Sequence, residues 1–364
     1  MNDIYFVCSA RDFHAIDWYR QVKNILPKRN ITIITDLIEG EGFKKIVMNS
    51  DNVEILFPLD KFLLSKYSIF GNAWRNLIKL LVLAICVYKL KKIYNKNTNF
   101  YFHAHSMYYI FLCYIAGIRY IATPMGSDVL VRPKNSKLYK YFVKKSLIAA
   151  DKITVDSLAL QNKVLEIANK KPIIVQNGID TRQINKKINK TIKREIFLSI
   201  RAWEDNYRID KIVLSRNISK SEVDLTFIYP FSTENYKNKL KNLLKKNDNI
   251  VGNLDKNKMY RLLNKTILTF SIPSSDSSPR SVYEAIFCGS CVAVTYSKYI
   301  DALPKSMMSR VYVVDLKNLK WFDEAIKFGK ERSKIPFQPC KIALDTYDDF
   351  LSISKVTETL YGKS

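Results

Sequence analysis

Short apolar segments rich in β-branched and aromatic residues recur along this chain and alternate with longer segments of helical period. In the first half they are IYFVCS at 4–9, ITIITD at 31–36, VEILFP at 53–58, NFYFHAH at 99–105, YIATPMGSD at 120–128, KITVDS at 152–157 and PIIVQNG at 172–178. Intervening segments such as 15–26, 77–92 and 136–149 space their apolar residues as one face of a helix does. This alternation predicts repeated β-α units, and hence a parallel sheet covered by helices on both faces.

The same alternation restarts in the second half of the chain. Its short apolar segments are EIFLSI at 195–200, DLTFIYP at 224–230, NIVGN at 249–253, TILTFSIP at 266–273, CVAVT at 291–295 and VYVVD at 311–315. A polar, lysine-rich stretch separates the two halves, and 364 residues are enough for two cores. The fold class is therefore predicted to be α/β with two doubly wound domains: one at 1–180, a connection at 181–194, a second at 195–345, and a C-terminal helix at 346–364 that can return to the first domain.

Ligands of open parallel sheets bind beyond the carboxyl ends of the strands. Two such domains are expected to face one another across a cleft lined by the loops of both sheets. That cleft is therefore the expected ligand site.

The charge balance restricts the class of partner. The chain has 59 Lys and Arg against 34 Asp and Glu, a formal net charge of +25. Such a field attracts nucleic acid, anionic lipid headgroups and nucleotide diphosphates. The basic residues are dispersed and form no recognisable nucleic-acid-binding motif, so no nucleic acid is expected. The segment RPKNSKLYKYFVKKS at 132–146 mixes lysines with aromatic residues at helical spacing, which predicts a surface helix that docks on anionic membrane lipid.

The N-terminus and the cysteines indicate the cellular compartment. MNDIYFVCSA lacks the basic start and long apolar core of a secretory signal, so a cytoplasmic protein is expected. The longest apolar run, at 80–88, has about half the length needed to span a bilayer and is predicted to be a buried helix. The six cysteines are scattered, and no disulfide is expected. Cys288 and Cys291 form a C-x-x-C at a predicted helix C-terminus, which favours buried structural thiols over a redox pair.

The most informative segment is IPSSDSSPRSVYEAIFCGSCVAVT at 272–295. It reads as a strand end, a loop with Asp276, a helix that Pro279 starts and Gly289 caps, and a second strand. Glu284 stands eight positions after Asp276, inside the helix. The backbone N–H groups of residues 277–280 lie between these carboxylates at the positive end of the helix, which suits phosphate or sugar oxygens.

This segment resembles the retaining nucleotide-sugar glycosyltransferases of family 4, whose GT-B architecture consists of two Rossmann-like domains. Their C-terminal domain carries an E-x7-E pattern, and this chain has D-x7-E with Ser-Ser where the family usually has Glu-Gly. The resemblance implies that Glu284 binds the donor ribose and Asp276 the hydroxyls of the transferred sugar. It also implies that the amides of Ser277 and Ser278 contact the sugar, at the helix start formed by Pro279 and Arg280.

Two further segments resemble the same family. LSIRAWEDNYRID at 198–210 is similar to the loop that places an Arg and a Lys on the donor diphosphate, which implies this role for Arg201 and, at a shifted spacing, for Arg208. Two guanidinium groups would stabilise the leaving diphosphate without a metal ion. VQNGID at 175–180 is similar to the Asn-Gly-Ile-Asp turn that enters the family's interdomain connection.

The acceptor-side residues come from the first domain. TPMGSDVL at 123–130 resembles the family's Gly-Ser/Thr-Asp loop, which implies acceptor-side roles for Gly126 and Asp128. In the first loop, Arg11 and His14 are candidates for contacting the acceptor or the donor phosphate, with packing of the loop as an equal alternative. The resemblance places His105 near the transferred group.

The two histidines of the segment 99–105 are also candidates for zinc ligands. His103 and His105 are two positions apart and share one face of a strand. No carboxylate or cysteine in the sequence completes a zinc site beside them, so no metal is expected.

The expected function is transfer of a sugar from a UDP- or GDP-linked donor, with retention of configuration, to a growing glycan acceptor. The acceptor is expected to be lipid-linked, as in bacterial O-antigen or capsule assembly at the inner face of the cytoplasmic membrane. Asp276, Arg201 and His105 are the expected catalytic groups, with no further cofactor. Two alternatives stay open: a sugar-nucleotide epimerase or hydrolase of the same fold, which needs extra acid-base groups such as His14, and a basic nucleic-acid-binding protein.

Overall fold

The computed structural model describes residues 3–38, 52–64, 71–96, 99–176, 178–189 and 191–362. The chain forms two compact units. Unit 1 consists of Met1–Gln176 and Phe350–Ser364, and unit 2 of Asn177–Asp349. The stretch 181–194 is part of unit 2 because it begins with a helix, Thr181–Lys187, whose Ile184 is buried in the core of that unit. The C-terminal helix is part of unit 1.

Unit 1 contains a sheet of seven parallel strands. Its chain order is β1 Asp3–Val7, β2 Ile31–Thr35, β3 Asn52–Ile55, β4 Phe100–His105, β5 Ile121–Thr123, β6 Lys152–Val155 and β7 Ile173–Ile174. The order across the sheet is β3-β2-β1-β4-β5-β6-β7. Each strand lies within or beside an apolar segment identified from the sequence, so the β-branched and aromatic runs predicted these strands correctly.

Helices cover both faces of this sheet. They are α1 Phe13–Ile25, α2 Gly71–Leu81, α3 Leu83–Asn95, α4 Met107–Ile115, α5 Gly126–Leu130, α6 Arg132–Asn135, α7 Lys137–Ala149 and α8 Leu158–Ala168, with the C-terminal helix Asp349–Tyr361. One core lies under α3, α4, α7 and α8. The second lies under α1 and the C-terminal helix, whose Leu360 and Tyr361 are buried.

Unit 2 repeats this plan with six parallel strands. They are β8 Ile196–Ser199, β9 Leu225–Ile228, β10 Asn249–Gly252, β11 Thr266–Ser271, β12 Cys291–Thr295 and β13 Val311–Val314, ordered β10-β9-β8-β11-β12-β13. Its helices are α9 Thr181–Lys187, α10 Ile209–Ile218, α11 Glu234–Lys241, α12 Lys256–Asn264, α13 Arg280–Phe287, α14 Lys305–Met308, α15 Trp321–Arg332 and α16 Lys341–Tyr347; the C-terminal helix is α17. Two cores lie on opposite faces of the sheet.

The strand orders fix where a ligand can bind. In unit 1 the chain reverses direction across the sheet between β1 and β4, and in unit 2 between β8 and β11. At such a switch point two neighbouring strands send their following helices to opposite faces, which leaves a crevice at the carboxyl edge. The candidate residues that follow β1, β4, β8 and β11 therefore lie at the two places where doubly wound sheets bind ligands.

The apolar run at 80–88 differs from its prediction as a buried helix. It spans the end of α2 and the start of α3, and Cys86 is buried there. Leu80 and Leu81, however, are 67% and 65% exposed. The prediction was wrong because the run lies on two helices that cover the sheet, and such helices bury one stripe of residues against the core and expose the other. None of the described helices is long and apolar enough to cross a membrane.

Candidate functional site

Arg201 and Asp276 meet at the switch point of unit 2. Arg201 follows β8 by two positions, and its Nε donates a 2.7 Å hydrogen bond to Oγ of Ser271, the last residue of β11. Its Nη2 contacts a carboxylate oxygen of Asp276, and the two side chains are only 12% and 17% exposed. The ring of Tyr207 lies 5.3 Å from the guanidinium carbon. A desolvated ion pair therefore lies where the crevice opens.

Arg208 anchors the loop that carries Asp276. Its Nε donates to the carbonyl of Ile272 at 2.7 Å, and its Nη2 contacts the carbonyl of Pro273 and the hydroxyl of Thr295, the latter at 3.2 Å. Burial lowers the pKa of this guanidinium. Its backbone has a φ of 51°, a conformation that a non-glycine residue seldom adopts. In this structure Arg208 bonds to the protein backbone, and its contact with a diphosphate stays a prediction.

Glu284 lies in a buried, polar environment. It is 5% exposed, in the second turn of α13, and its Oε1 accepts a 3.0 Å hydrogen bond from the hydroxyl of Tyr260 on α12. Nε of Arg280, one turn earlier, is 3.8 Å from the same oxygen. Burial, followed by the Glu284 charge, raises the pKa of Tyr260, so this hydroxyl remains a donor. Two side chains on different helices thus fix the orientation of the Glu284 carboxylate.

Helix α13 begins and ends where the sequence predicts. Pro279 immediately precedes its first residue, Arg280, so the first backbone N–H groups of the helix face the loop of half-buried Ser277 and Ser278. At the other end, Gly289 has a φ of +86° and donates to Ile286 O at 2.8 Å, while Ser290 donates to Ala285 O at 3.0 Å. These two bonds form a Schellman motif, which fixes the C-terminus of the helix that carries Glu284.

The sequence reading missed Asn206 as an anchor of this site. Its backbone carbonyl accepts from Ser274 N at 2.7 Å, and its side-chain oxygen accepts from Ser274 Oγ at 2.6 Å. On the other side of the loop, Ser297 Oγ donates to the carbonyl of Asp276 at 2.7 Å. Asn206 lies within the quoted segment 198–210, but its partner is distant in sequence, and no local pattern marks such a pair.

Arg11 and His14 lie at the switch point of unit 1. Asp12 caps α1 by accepting from the backbone N–H of His14 at 3.0 Å. Arg11 forms an ion pair with the buried carboxylate of Asp60. Burial raises the pKa of Asp12, and the charge of Asp128 adds to this effect while His14 opposes it. Arg11 is thus committed to an ion pair with Asp60, whereas the half-buried His14 lies near both Asp12 and His105.

The rings of His103 and His105 project from the same face of β4, as the i,i+2 spacing predicts. Their centroids are 4.3 Å apart, and both rings are buried. Burial, with a smaller effect of His14, lowers the pKa of His105 to about 3, and burial lowers that of His103 well below its usual range. His103 bonds through both ring nitrogens, to the hydroxyl of Tyr361 at 2.6 Å and that of Thr123 at 2.7 Å. Both imidazoles are therefore neutral at neutral pH.

Asp128 joins the loops that follow β4 and β5. Gly126 is the first residue of α5, and the Oδ2 of buried Asp128 accepts from the backbone N–H groups of Met107 at 3.0 Å and Met125 at 3.3 Å. Its Oδ1 lies 3.0 Å from Nη1 of Arg132. Asp128 thus orders the carboxyl edge of the sheet through three groups from different segments.

Asp36 and Lys79 belong to the same edge and were also missed. Asp36 follows β2 and is fully buried, and its Oδ1 accepts from the hydroxyl of Tyr109 at 2.5 Å. Burial raises the pKa of Asp36 and lowers that of Lys79, and the opposite charge of each counteracts the shift of the other. An aspartate directly after a predicted buried strand is the signal that could have identified Asp36.

The described part of the chain contains no cluster of three His, Cys, Asp or Glu side chains able to hold a metal ion. Cys288 and Cys291 are buried free thiols, and burial raises the pKa of both. The prediction that this C-x-x-C is structural agrees with that environment, because a redox pair needs an exposed thiol of lowered pKa.

Part of unit 1 is similar to a known protein family. Residues 61–157 match the family described as glycosyl transferase 4-like. No curated protein matches the sequence.

Solved structures match over the whole chain. HepE from Anabaena, solved in complex with UDP, has a TM-score of 0.75 at 13% identity over 99% of this chain and 100% of that one. A glycosyltransferase from Rickettsia africae has a TM-score of 0.70 at 12% identity over 99% and 98% of the two chains. The lipopolysaccharide outer core galactosyltransferase WaaB has a TM-score of 0.69 at 12% identity over the full length of both.

At these identities the solved structures establish the fold, and the predicted GT-B architecture of two Rossmann-like domains is confirmed. The family match covers a segment of unit 1 that includes the Gly126–Asp128 loop quoted for the resemblance. The chain thus has the GT-B fold, and residues 61–157 of unit 1 are similar to the glycosyl transferase 4-like family.

Proposed function

We propose that this chain transfers a sugar from a UDP- or GDP-linked donor, with retention of configuration and without a metal ion, to a lipid-linked glycan of the bacterial surface. One observation is the main support for the binding of a nucleotide-sugar donor. Arg201 and Asp276 form an ion pair between the loops that follow the neighbouring strands β8 and β11, and the oriented Glu284 carboxylate lies on α13, the helix that follows the Asp276 loop. This edge is where doubly wound sheets bind nucleotides.

The ribose of the donor is assigned to Glu284. A carboxylate accepts two hydroxyl hydrogen bonds at once, which suits the vicinal diol of a ribose. Tyr260 and Arg280 hold the carboxylate through Oε1, so it is oriented before the ligand arrives. The complexes of HepE with UDP and with UDP-glucose support a uridine nucleotide as the donor here.

The diphosphate is assigned to Arg201, to the N-terminus of α13 and, after a rearrangement of its loop contacts, to Arg208. A guanidinium that is only 12% exposed acts on a phosphate oxygen in a poorly screened environment, where charge stabilisation of a leaving group is strong. Asp276 keeps Arg201 extended in the crevice in the absence of ligand. When a diphosphate shares Arg201, Asp276 becomes available to the hydroxyls of the transferred sugar.

Retention of configuration is proposed because the Asp276–Glu284 segment resembles that of retaining enzymes, and because the Asp276 carboxylate is held in an ion pair with Arg201. In the proposed reaction the acceptor hydroxyl attacks the face from which the diphosphate leaves, and a phosphate oxygen takes its proton. Arg201 stabilises the charge that develops on that diphosphate. His105 is neutral and buried, so its proposed role is to shape the pocket near the transferred group rather than to carry a proton.

The acceptor is assigned to unit 1, at the edge formed by Gly126, Asp128, His14 and Arg11. Lipid linkage is supported by α7, which exposes four lysines together with Leu138 and Tyr141. Apolar side chains among lysines are typical of a surface that docks on an anionic membrane. The net charge of +25 favours the same location at the inner membrane face.

The two alternatives receive less support. An epimerase or hydrolase needs an accessible acid-base group near the sugar, and His103 and His105 are buried with lowered pKa values, which leaves His14 of the three histidines. Nucleic-acid binding would use clustered basic residues, whereas Arg201, Arg208 and Arg11 are each engaged with protein groups.

The test is a transfer assay with the full chain, radiolabelled UDP- and GDP-sugars, and lipid extracted from bacterial membranes. We expect label to enter the lipid fraction, with undiminished rate in EDTA, and the anomeric coupling of the product to match that of the donor. Arg201→Ala should lower the rate of transfer about 100- to 1000-fold, while Arg261→Ala, at an exposed arginine of the same unit, should leave it unchanged. Label released as free sugar would indicate a hydrolase, and an inverted product would contradict retention.

A further inference from the structure

Unit 1 contains an apolar groove outside the sites described above. It lies between α2, α3, α4 and α7 and has a volume of about 450 Å³. Its walls are formed mainly by Leu80, Leu83, Phe111, Ile115, Leu138 and Phe142. Below, this set of helices and side chains is called the α2–α7 groove.

The apolar side chains that line the α2–α7 groove are much more exposed to water than core residues are. Leu80 is 67% exposed and Leu138 68% exposed, and Ile115 and Phe142 are 45% and 37% exposed. Single exposed apolar residues are common, but adjacent ones around a concave surface indicate a binding surface. From the 80–88 run, which the sequence predicted to be buried, Leu80 and the half-buried Leu83 line this groove.

Two cations line the groove close to one another. Lys79 and Arg132 line it together with the apolar residues. The Lys79 ammonium lies 4.3 Å from the centre of the Tyr108 ring, and burial lowers its pKa. Arg132 contacts Asp128 at 3.0 Å and remains 61% exposed in its side chain. The groove therefore has an anion-attracting end and a hydrocarbon-like body.

The cationic end joins the carboxyl edge of the sheet. Arg132 reaches that edge through Asp128, and Lys79 through the charge of Asp36. Asp36 directly follows β2, and Asp128 lies in the short helix α5 that follows β5, on the side of the sheet where the acceptor is assigned. A molecule with an apolar chain in the groove and an anionic group at Lys79 and Arg132 would therefore extend its remaining part toward the acceptor edge.

We propose that the α2–α7 groove binds the hydrocarbon chain of one lipid phosphate, with the phosphate at Lys79 and Arg132, and that this lipid is the one that carries the acceptor glycan. The inference rests on the proposed function and specifies how its acceptor is held. Charge complementarity selects the occupant: a neutral lipid offers Lys79 and the exposed side chain of Arg132 no anion beyond Asp36 and Asp128, and a soluble phosphate leaves the apolar walls in water. The lysines of α7 would face the anionic lipids around it.

The test uses the full chain and dodecyl phosphate below its micellar concentration, measured by isothermal titration calorimetry. The groove variant is Leu80→Asn with Leu138→Asn, two side chains that the core does not need because they are mostly exposed. The matched control is Ile218→Asn with Leu319→Asn, which are 71% and 80% exposed in unit 2. We expect one dodecyl phosphate per chain, about tenfold weaker binding in the groove variant from the lost apolar contact, and unchanged binding in the control.

Head-group and chain controls separate the two parts of the site. Inorganic phosphate and dodecyltrimethylammonium should each bind much more weakly than dodecyl phosphate, and Lys79→Met should reduce the preference for the phosphate head. Equal binding by groove variant and control would overturn the proposal. A second result would also overturn the proposal: the protein binds vesicles that contain phosphatidylglycerol but does not bind monomeric dodecyl phosphate. In that case this surface docks on a bilayer rather than on one lipid.

Thermal stabilisation by UDP-sugars in the same preparations separates this inference from the proposed function. If dodecyl phosphate binds in the groove and no nucleotide stabilises the protein, the donor assignment is wrong and the proposal of a lipid site in the groove is supported. If nucleotides stabilise both variants while dodecyl phosphate binds neither, the donor assignment stands and the groove proposal fails.

Discussion

Arg201 and Asp276 are 75 positions apart in the chain and form an ion pair across the switch point of the second sheet. The pairing follows from topology, since β8 and β11 are neighbours in the sheet and each residue lies in the loop after its strand. The oxygen of Ser271 fixes the other side of the guanidinium. The pair thus places a cation and an anion, each shielded from water, where a charged sugar nucleotide would bind.

The first prediction concerns this pair. Arg201→Ala should lower kcat about 100- to 1000-fold, with a smaller effect on the KM for the donor, because its charge acts mainly on the leaving diphosphate. Asp276→Asn should also lower kcat, and the double variant should lose less than the two single losses combined. Steady-state kinetics of the three variants test this. Additive losses would show that the two side chains act independently and contradict the assignment.

The second prediction concerns the helix that carries Glu284. A Cβ at Gly289 would lie 2.2 Å from Nη2 of Arg194, at a φ of +86°. Gly252 has a φ of +80° with open space around it, so Gly252→Ala measures backbone strain alone. We expect Gly252→Ala to lower the free energy of unfolding by about 1 kcal/mol and Gly289→Ala to lower it clearly more. Equal losses in urea unfolding would show that Arg194 moves away freely.

The third prediction concerns pH. His105 has a folded-state pKa of about 3 and an ordinary value of 6.5. Above pH 6.5 both states are neutral and the stability is fully present. As pH falls from 6.5 toward 3, only the unfolded state takes the proton, so stability is lost at about 1.4 kcal/mol per pH unit for this histidine.

Urea unfolding at pH 7.5 and pH 5.0 measures the effect. His105→Gln removes one titrating group, so its stability should fall less between these pH values than that of the wild type. The expected difference is about 2 kcal/mol. An identical fall in both proteins would show that His105 is protonated in the folded state.

The fourth prediction concerns thiol reactivity. Cys340 is half-buried, and the hydroxyl of Ser306, which donates to its sulfur at 3.2 Å, lowers its pKa. The other cysteines are buried, and burial raises their pKa values. A thiol reagent should therefore label the native protein first at Cys340, and Cys340→Ser should remove this fast phase. Fast labelling of Cys288 or Cys291 would instead indicate a redox pair.

Much of the fold could be read from the sequence because it depends on local signals. The β-branched runs predicted the strands of both sheets, and Pro279 and Gly289 predicted the ends of α13. The exposed half of the 80–88 run could not be predicted, because hydropathy reports how apolar a residue is and not whether a neighbouring element covers it.

The candidate site was predictable only in part, for a related reason. Residues that follow strands, such as Arg201 and Asp276, can be identified along the chain. Asp36, Lys79 and Asn206 act through partners that are distant in sequence, and only the fold brings them together. The neutral state of His105 is also a consequence of burial, which its position in a strand does not reveal.

Binding of a nucleotide sugar to unit 2 through Glu284 can be measured by thermal unfolding of the full chain with UDP-, GDP-, ADP- and CMP-sugars. One nucleotide class at about 100 times its Kd should stabilise the wild type by about 2.7 kcal/mol. Glu284→Gln should lose most of this stabilisation, and Glu331→Gln, an exposed glutamate of α15, should keep it. A wild type that no nucleotide stabilises, and that binds RNA or DNA tightly at physiological salt, would contradict the account.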